Sequence, residues 1–197
     1  EGAISVRCED NSRAVSLVYE GHRIYEGKPG LKGLPATFTS GEVKALDESA
    51  CGNDDSKVYT LEIKAVDPCI GLAATLSYSV FPEQDVITRR VKLKNNSDKN
   101  IFITKVMSAA LDLPDEGYEL LSLHGSWARE RRMEFRKIGY GKQSVGSIKG
   151  KSSHQEHPFI ALVDNGSSQD TGHVYGFSFV YSGNFLAQVE KNQFDSL

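Results

Sequence analysis

Cysteine, methionine and tryptophan are scarce in this chain of 197 residues, at three, two and one. The cysteines, Cys8, Cys51 and Cys69, are odd in number and lack metal-like spacing. They argue against a disulfide framework and favour a reducing compartment. Long apolar runs are missing, so no membrane-spanning helix or membrane partner is expected. Residues Glu1 to Ser5 show neither the basic start nor the apolar centre of a signal peptide. No excess of positive charge exists either. The 23 Lys and Arg are scattered against 26 Asp and Glu, for a net charge of −3, which gives no nucleic-acid footprint. There is no initiator methionine, and the chain stops at Asp195-Ser196-Leu197 just after a strand-like run. We therefore expect an excised piece of a longer protein.

Helical periodicity is almost absent. The best helical candidate, Ser126 to Phe135, has no coherent apolar face. Period-two alternation dominates instead. Tyr59, Leu61, Ile63 and Ala65 alternate with Thr60, Glu62 and Lys64, and Leu72, Ala74, Leu76, Tyr78 and Val80 repeat the pattern. Val91 and Leu93 alternate with Arg90, Lys92 and Lys94 before the polar turn Asn95 to Asp98. Tyr175, Phe177, Phe179 and Tyr181 form the clearest run, and Phe185, Ala187 and Val189 follow it. Alternation of this kind puts one row of side chains on a core and the other on solvent or a second layer. Short strands punctuated by Gly, Pro and Asn predict an all-β, antiparallel sandwich. No interdomain linker interrupts residues 1–197, which read as one domain. Gly139 to Ser153, poor in large side chains, reads as a mobile loop or hairpin.

The most informative stretch is Leu123 to Arg131, which sets the single tryptophan, Trp127, at a strand end beside Arg129, Glu130 and Arg131. An indole face packs on the apolar C–H face of a pyranose, and fixed guanidinium and carboxylate groups hold hydroxyls. The plainer alternative makes Trp127 a core residue and the charges a surface ladder.

Other constellations carry less. Ser152 to Phe159 contains His154, Glu156 and His157, but a helical zinc motif needs histidines four apart, and Pro158 opposes a helix. On an extended segment His154 and His157 point to opposite sides, so they read as loop histidines. A glycosidase needs two carboxyl groups roughly 5 Å apart when it retains configuration. Asp112, Asp115 and Glu116 read as solvated turn carboxylates, and Glu130 and Glu134 as ion-pair partners of Arg131 or Arg132. No Gly-x-Ser-x-Gly elbow or phosphate-cradling loop occurs. No catalytic residue, metal ligand or cofactor is assigned within this chain.

Four segments together resemble the amino-terminal domain of family-36 glycoside hydrolases, the bacterial α-galactosidases. They are His22 to Pro29 with Leu34 to Thr37; Trp127 to Arg131; Ser152 to Gln155 with Pro158 to Leu162; and Val174 to Gln188. The resemblance implies a β-supersandwich that precedes a (β/α)₈ barrel holding both catalytic aspartates. Strands alternating with long helices occur nowhere here, so both aspartates are expected outside this chain. It further implies that Trp127 matches a sugar-site tryptophan, while Arg129, Glu130 and Arg131 hold the loop. The Ser152 to His157 segment is given a structural loop role. Hydrolysis of terminal α-galactose with retention, from sugars such as melibiose and raffinose, is implied for the parent, as is a cytoplasmic homotetramer. Two alternatives stand beside this one. A mutarotase-like enzyme would use His154, Glu156 and His157, and a carbohydrate-binding module would carry no chemistry.

Overall fold

Period-two patterning becomes extended chain almost throughout. The computed structural model describes residues 3–31, 44–46, 57–181 and 183–197. Among these there is no α-helix; the only helical turn is a 3₁₀ turn at Pro82–Gln84. No helix among them is long and apolar enough to cross a membrane. The helical candidate Ser126 to Phe135 is instead a hairpin end and most of a strand. The segment Leu34 to Thr37 and Cys51 lie outside the described residues. Cys8 and Cys69 are free thiols.

The chain divides into two compact units, 1–110 and 111–197. The first holds β1 (Ile4–Cys8), β2 (Val18–Glu26), β3 (Lys44–Leu46), β4 (Tyr59–Asp67), β5 (Leu72–Phe81), β6 (Val86–Asn95) and β7 (Ile101–Val106). β1 pairs with β7, and the others form a sheet ordered β3-β2-β4-β5-β6, all antiparallel. The β4–β5 turn is built by Asp67. Its Oδ1 accepts the Cys69 N–H at 2.9 Å and the Ile70 N–H at 3.2 Å, and its Oδ2 accepts the Ser16 N–H at 2.7 Å. These donors outweigh its burial and hold the carboxyl below its usual pKa.

In β4 the polar row is the buried one. Thr60 and Glu62 are inside, whereas Tyr59, Leu61 and Ile63 are only half-buried. Register explains the inversion. Arg23, Glu62, Ser77 and Arg90 stand opposite one another across β2, β4, β5 and β6. Arg23 Nε donates to Glu62 Oε2 at 2.7 Å, Ser77 Oγ donates to Oε1 at 3.3 Å, and Arg90 Nη2 lies 3.7 Å away. One row along, Thr60 Oγ1 donates to the Gly27 carbonyl at 2.7 Å and sits 2.8 Å from Ser79 Oγ. Polar side chains that find partners across strands can be buried at little cost.

The second unit holds β8 (Glu119–Ser126), β9 (Arg129–Lys137), β10 (Gly141–Ser147), β11 (Glu156–Val163), β12 (Val174–Ser178) and β13 (Phe185–Lys191). One sheet runs β12-β11-β8-β9, and β10 pairs with β13. Both sheets feed one core, with Leu120 from β8, Ile160 and Leu162 from β11, Val145 from β10, and Phe185 and Val189 from β13.

The expected loop over 139–153 is thus corrected. Its first half is β10, in full register with β13, and Val145 and Ser147 are buried. Small residues permit this rather than prevent it: a methyl at Gly146 would stand 2.7 Å from the Phe185 carbonyl oxygen. The clearest aromatic run is shorter than its alternation suggests. β12 ends at Ser178, after which the Phe179 N–H turns to the Pro158 carbonyl at 2.9 Å.

Candidate functional site

The site grows from one hairpin. Ser126 pairs with Arg129, which leaves Trp127 and Ala128 as a two-residue connection between β8 and β9. Ala128 takes φ +62°, in the left-handed region, and Glu130 Oε1 accepts its N–H at 2.9 Å. The pairing slips between His124 and Ser126, and Arg131, with φ +58°, sits in that bulge. Gly125 faces the bulge. A methyl there would collide with the Arg129 carbonyl oxygen and stand 2.8 Å from Glu130 Cα and 3.0 Å from the His154 carbonyl oxygen. The backbone of two other segments, the start of β9 and the His154 peptide, therefore closes on this glycine.

Trp127 rides on the tip with 85% of its surface exposed. It is not a core residue. An exposed indole on a pinned two-residue turn offers an apolar face that can pack on a flat partner. Glu130 holds the tip rather than pairing with an arginine, and Arg129 lines an adjacent hollow.

That hollow, of about 380 Å³, is also lined by His124, Gly125, Ser126, Arg132, Met133 and Glu134. Two of these, His124 and Glu134, belong to a polar cluster that the sequence did not disclose. Along β8 the core-facing row passes from Leu120 to Ser122 and His124, so the apolar core gives way to polar groups toward the hairpin. His124 Nε2 lies 2.7 Å from Ser122 Oγ and 3.1 Å from Glu134 Oε2. His124 Nδ1 lies 3.0 Å from Glu156 Oε2, a charge contact in which that buried oxygen receives no aligned hydrogen bond. Arg136 Nη2 donates to Ser122 Oγ at 3.4 Å.

Several expectations change here. Glu134 meets His124, not Arg131 or Arg132. Glu156 and His157, neighbours on β11, take opposite faces, and only Glu156 reaches His124. His157 Nδ1 is buried without a hydrogen-bond partner, and His154 is exposed. Asp115 is no solvated turn carboxylate. It is buried, its Oδ1 accepts the Gly117 N–H at 2.9 Å, and its Oδ2 meets Lys191 Nζ at 2.5 Å. The Lys191 ammonium is the main cause holding the Asp115 carboxyl below its usual pKa. Among the described residues, no three His, Cys, Asp or Glu side chains are grouped to hold a metal ion.

The described residues thus form an all-β chain of antiparallel sheets with an exposed aromatic at a fixed hairpin tip. The chain matches the glycosyl hydrolase family 36 N-terminal domain over residues 1–197, and it belongs to that family. It is 43% identical to the alpha-galactosidase AgaA of Geobacillus stearothermophilus over 98% of this chain and 25% of that protein. The crystal structure of the GH36 alpha-galactosidase AgaB from the same organism superposes with a TM-score of 0.87 and 42% identity. That likeness covers all of this chain and 25% of AgaB. An AgaA variant solved in complex with raffinose gives 0.87 and 41%, again over the whole chain and 26% of that protein. The all-β, antiparallel supersandwich expected from the sequence is borne out by these likenesses. This chain spans about a quarter of the length of the curated relatives it matches.

Proposed function

We propose that residues 1–197 act as one non-catalytic domain of a longer α-galactosidase, which hydrolyses terminal α-linked galactose with retention of configuration. Oligosaccharides of the melibiose and raffinose type are its substrates. Trp127 forms a wall of the sugar pocket. Its 85% exposure on a turn pinned by Gly125 and Glu130 is the observation that carries this reading. An indole offered to solvent stacks on the C–H face of a galactose ring without first leaving a core. The two carboxyl groups of a retaining mechanism belong to the portion of the parent outside these residues. The relatives' names as alpha-galactosidases, and the raffinose held by one of them, support this assignment. The parent is a cytoplasmic homotetramer, in which the domain contributes to subunit contacts.

Two measurements test the reading. Hydrolysis of 4-nitrophenyl α-galactoside is compared for this chain and for its parent, and turnover is expected only in the parent. Turnover by the chain alone would overturn the non-catalytic assignment. Trp127→Ala in the parent is expected to raise KM for raffinose at least about tenfold, the loss of about 1.4 kcal/mol of stacking. An unchanged KM would remove Trp127 from the pocket.

A further inference from the structure

His124 has a carboxylate on each side of its ring. Glu156 of β11 lies 3.0 Å from Nδ1 and Glu134 of β9 lies 3.1 Å from Nε2. From its own strand Ser122 also reaches Nε2, at 2.7 Å. β9 adds Arg132, directly opposite His124 in register, and Arg136, which donates to Ser122. Arg129 of β9 lines the same hollow, and among the described residues no other charged side chain of β8, β9 or β11 is within ion-pair distance of the ring.

A neutral imidazole carries one N–H and one lone pair, so it can donate to only one of the two carboxylates. With the proton on Nδ1, on the Glu156 side but not aligned on its Oε2, Nε2 accepts the Ser122 hydroxyl proton and Glu134 faces a lone pair. The doubly protonated ring carries a positive charge with an N–H on each side, so both carboxylates are attracted to it and Glu134 is drawn toward Nε2. Glu134 is half-exposed on an edge strand, and no second ion pair or hydrogen bond among the described residues restrains its carboxylate. It is four residues from Glu130, whose carboxylate fixes the Trp127 turn.

We propose that His124 is a proton-operated positioning residue: its protonation fastens β9 to β8 through Glu134 and so stiffens the hairpin that presents Trp127. This rests on the reading of Trp127 as a pocket wall only for its consequence, which is a pH-dependent grip on the galactoside. The clasp itself needs no sugar.

The test uses the single tryptophan as its own reporter in the 197-residue chain, without ligand. Acrylamide quenching and fluorescence anisotropy of Trp127 are followed from about pH 5 to 8, where imidazole changes charge. The expected result is one step, with lower anisotropy and faster quenching on the alkaline side. His124→Gln should abolish the step and hold both readings at the alkaline level, while far-UV circular dichroism stays unchanged. Glu134→Gln, at a half-exposed site that tolerates substitution, should shrink the step, and it decides the matter if His124→Gln fails to fold. His157→Gln should keep the step. A flat wild-type profile, or a full step in His124→Gln or Glu134→Gln, would overturn the proposal. Raffinose titration at a fixed pH is a separate arm, so failure of the pocket assignment leaves the clasp result readable.

Discussion

The Glu130 carboxylate accepts the backbone N–H of Ala128 at 2.9 Å, two residues back along the same hairpin. Ala128 has φ +62°, a conformation that a residue with a Cβ adopts only when something holds it. The acidic residue of the Trp-Ala-Arg-Glu-Arg motif thus fixes the turn that carries the indole, which is the loop-holding role expected of it.

Removing that acceptor should loosen the tip more than the fold. Glu130→Ala is expected to cost at most about 1 kcal/mol in urea denaturation, the ordinary worth of one exposed hydrogen bond. Acrylamide quenching of Trp127 should rise at the same time. A large stability loss with unchanged quenching would show that Glu130 serves the sheet and not the turn.

Gly125→Ala should be more damaging than its partly exposed position suggests. The added methyl meets backbone atoms of β9 and of the His154 peptide, which cannot rotate away as a side chain can. Overpacking of this kind costs about 1–3 kcal/mol. Thermal melting should register the loss, and Gly139→Ala, where a methyl meets nothing within 4 Å, is the control.

Acid should unfold the chain through identifiable carboxylates. For Glu62 burial pushes the pKa up, but hydrogen bonds and charge from Arg23, with Ser77 and Tyr25, outweigh it and leave the group below its usual value. Asp67 and Asp115 are lowered as well. A carboxyl whose folded pKa lies below its unfolded one contributes stability above the unfolded value, and loses it as pH falls through the folded value. Urea midpoints should therefore hold from neutrality to about pH 5 and decline below about pH 4. Glu62→Gln should lower the neutral-pH stability by about 2 kcal/mol, since it strips a charged acceptor from Arg23 and Ser77. The variant's decline on acidification should be shallower. An equal decline in both would relieve Glu62 of this role.

Two tyrosines should titrate late: Tyr25, which burial raises above its usual value, and Tyr118. Burial, followed by the neighbouring Glu116 carboxylate, pushes the Tyr118 hydroxyl up to about 12. The Tyr118 hydroxyl donates to Glu116 Oε2 at 3.2 Å, an interaction available only while the phenol keeps its proton. A raised folded pKa contributes stability below the unfolded value near 10, lost as pH climbs through the folded one. Phenolate absorbance should show one of the eight tyrosines ionising near 12 while the chain stays folded, and Tyr118→Phe should remove that component.

Much of this architecture was legible in the residue order. Alternation from Tyr59 to Ala65 and from Leu72 to Val80 specified strands, because a two-residue repeat can offer one face to a core only in extended chain. The scarcity of helical periodicity ruled out a barrel for the same reason. Trp127 could be placed at a strand end, and its motif pointed to the family that the comparisons show.

The partners across strands could not be read in this way. β10 was missed because Gly141 to Ser147 offers little hydrophobic contrast, and its pairing with β13 comes from segments some 40 residues away. The buried row of Arg23, Glu62, Ser77 and Arg90 depends on the register of four strands, which no single segment contains. The same is true of His124. Its neighbours Glu134 and Glu156 lie ten and 32 residues along the chain, and register alone brings both carboxylates to one imidazole. The sequence by itself determined extended chain and turns, since these follow from local periodicity and local sterics, whereas the exposure of Trp127 came from the structure. Which polar groups meet, and so which can be buried and which can exchange a proton, only the tertiary structure decided, because electrostatic and hydrogen-bond energies depend on distances set by strand pairing.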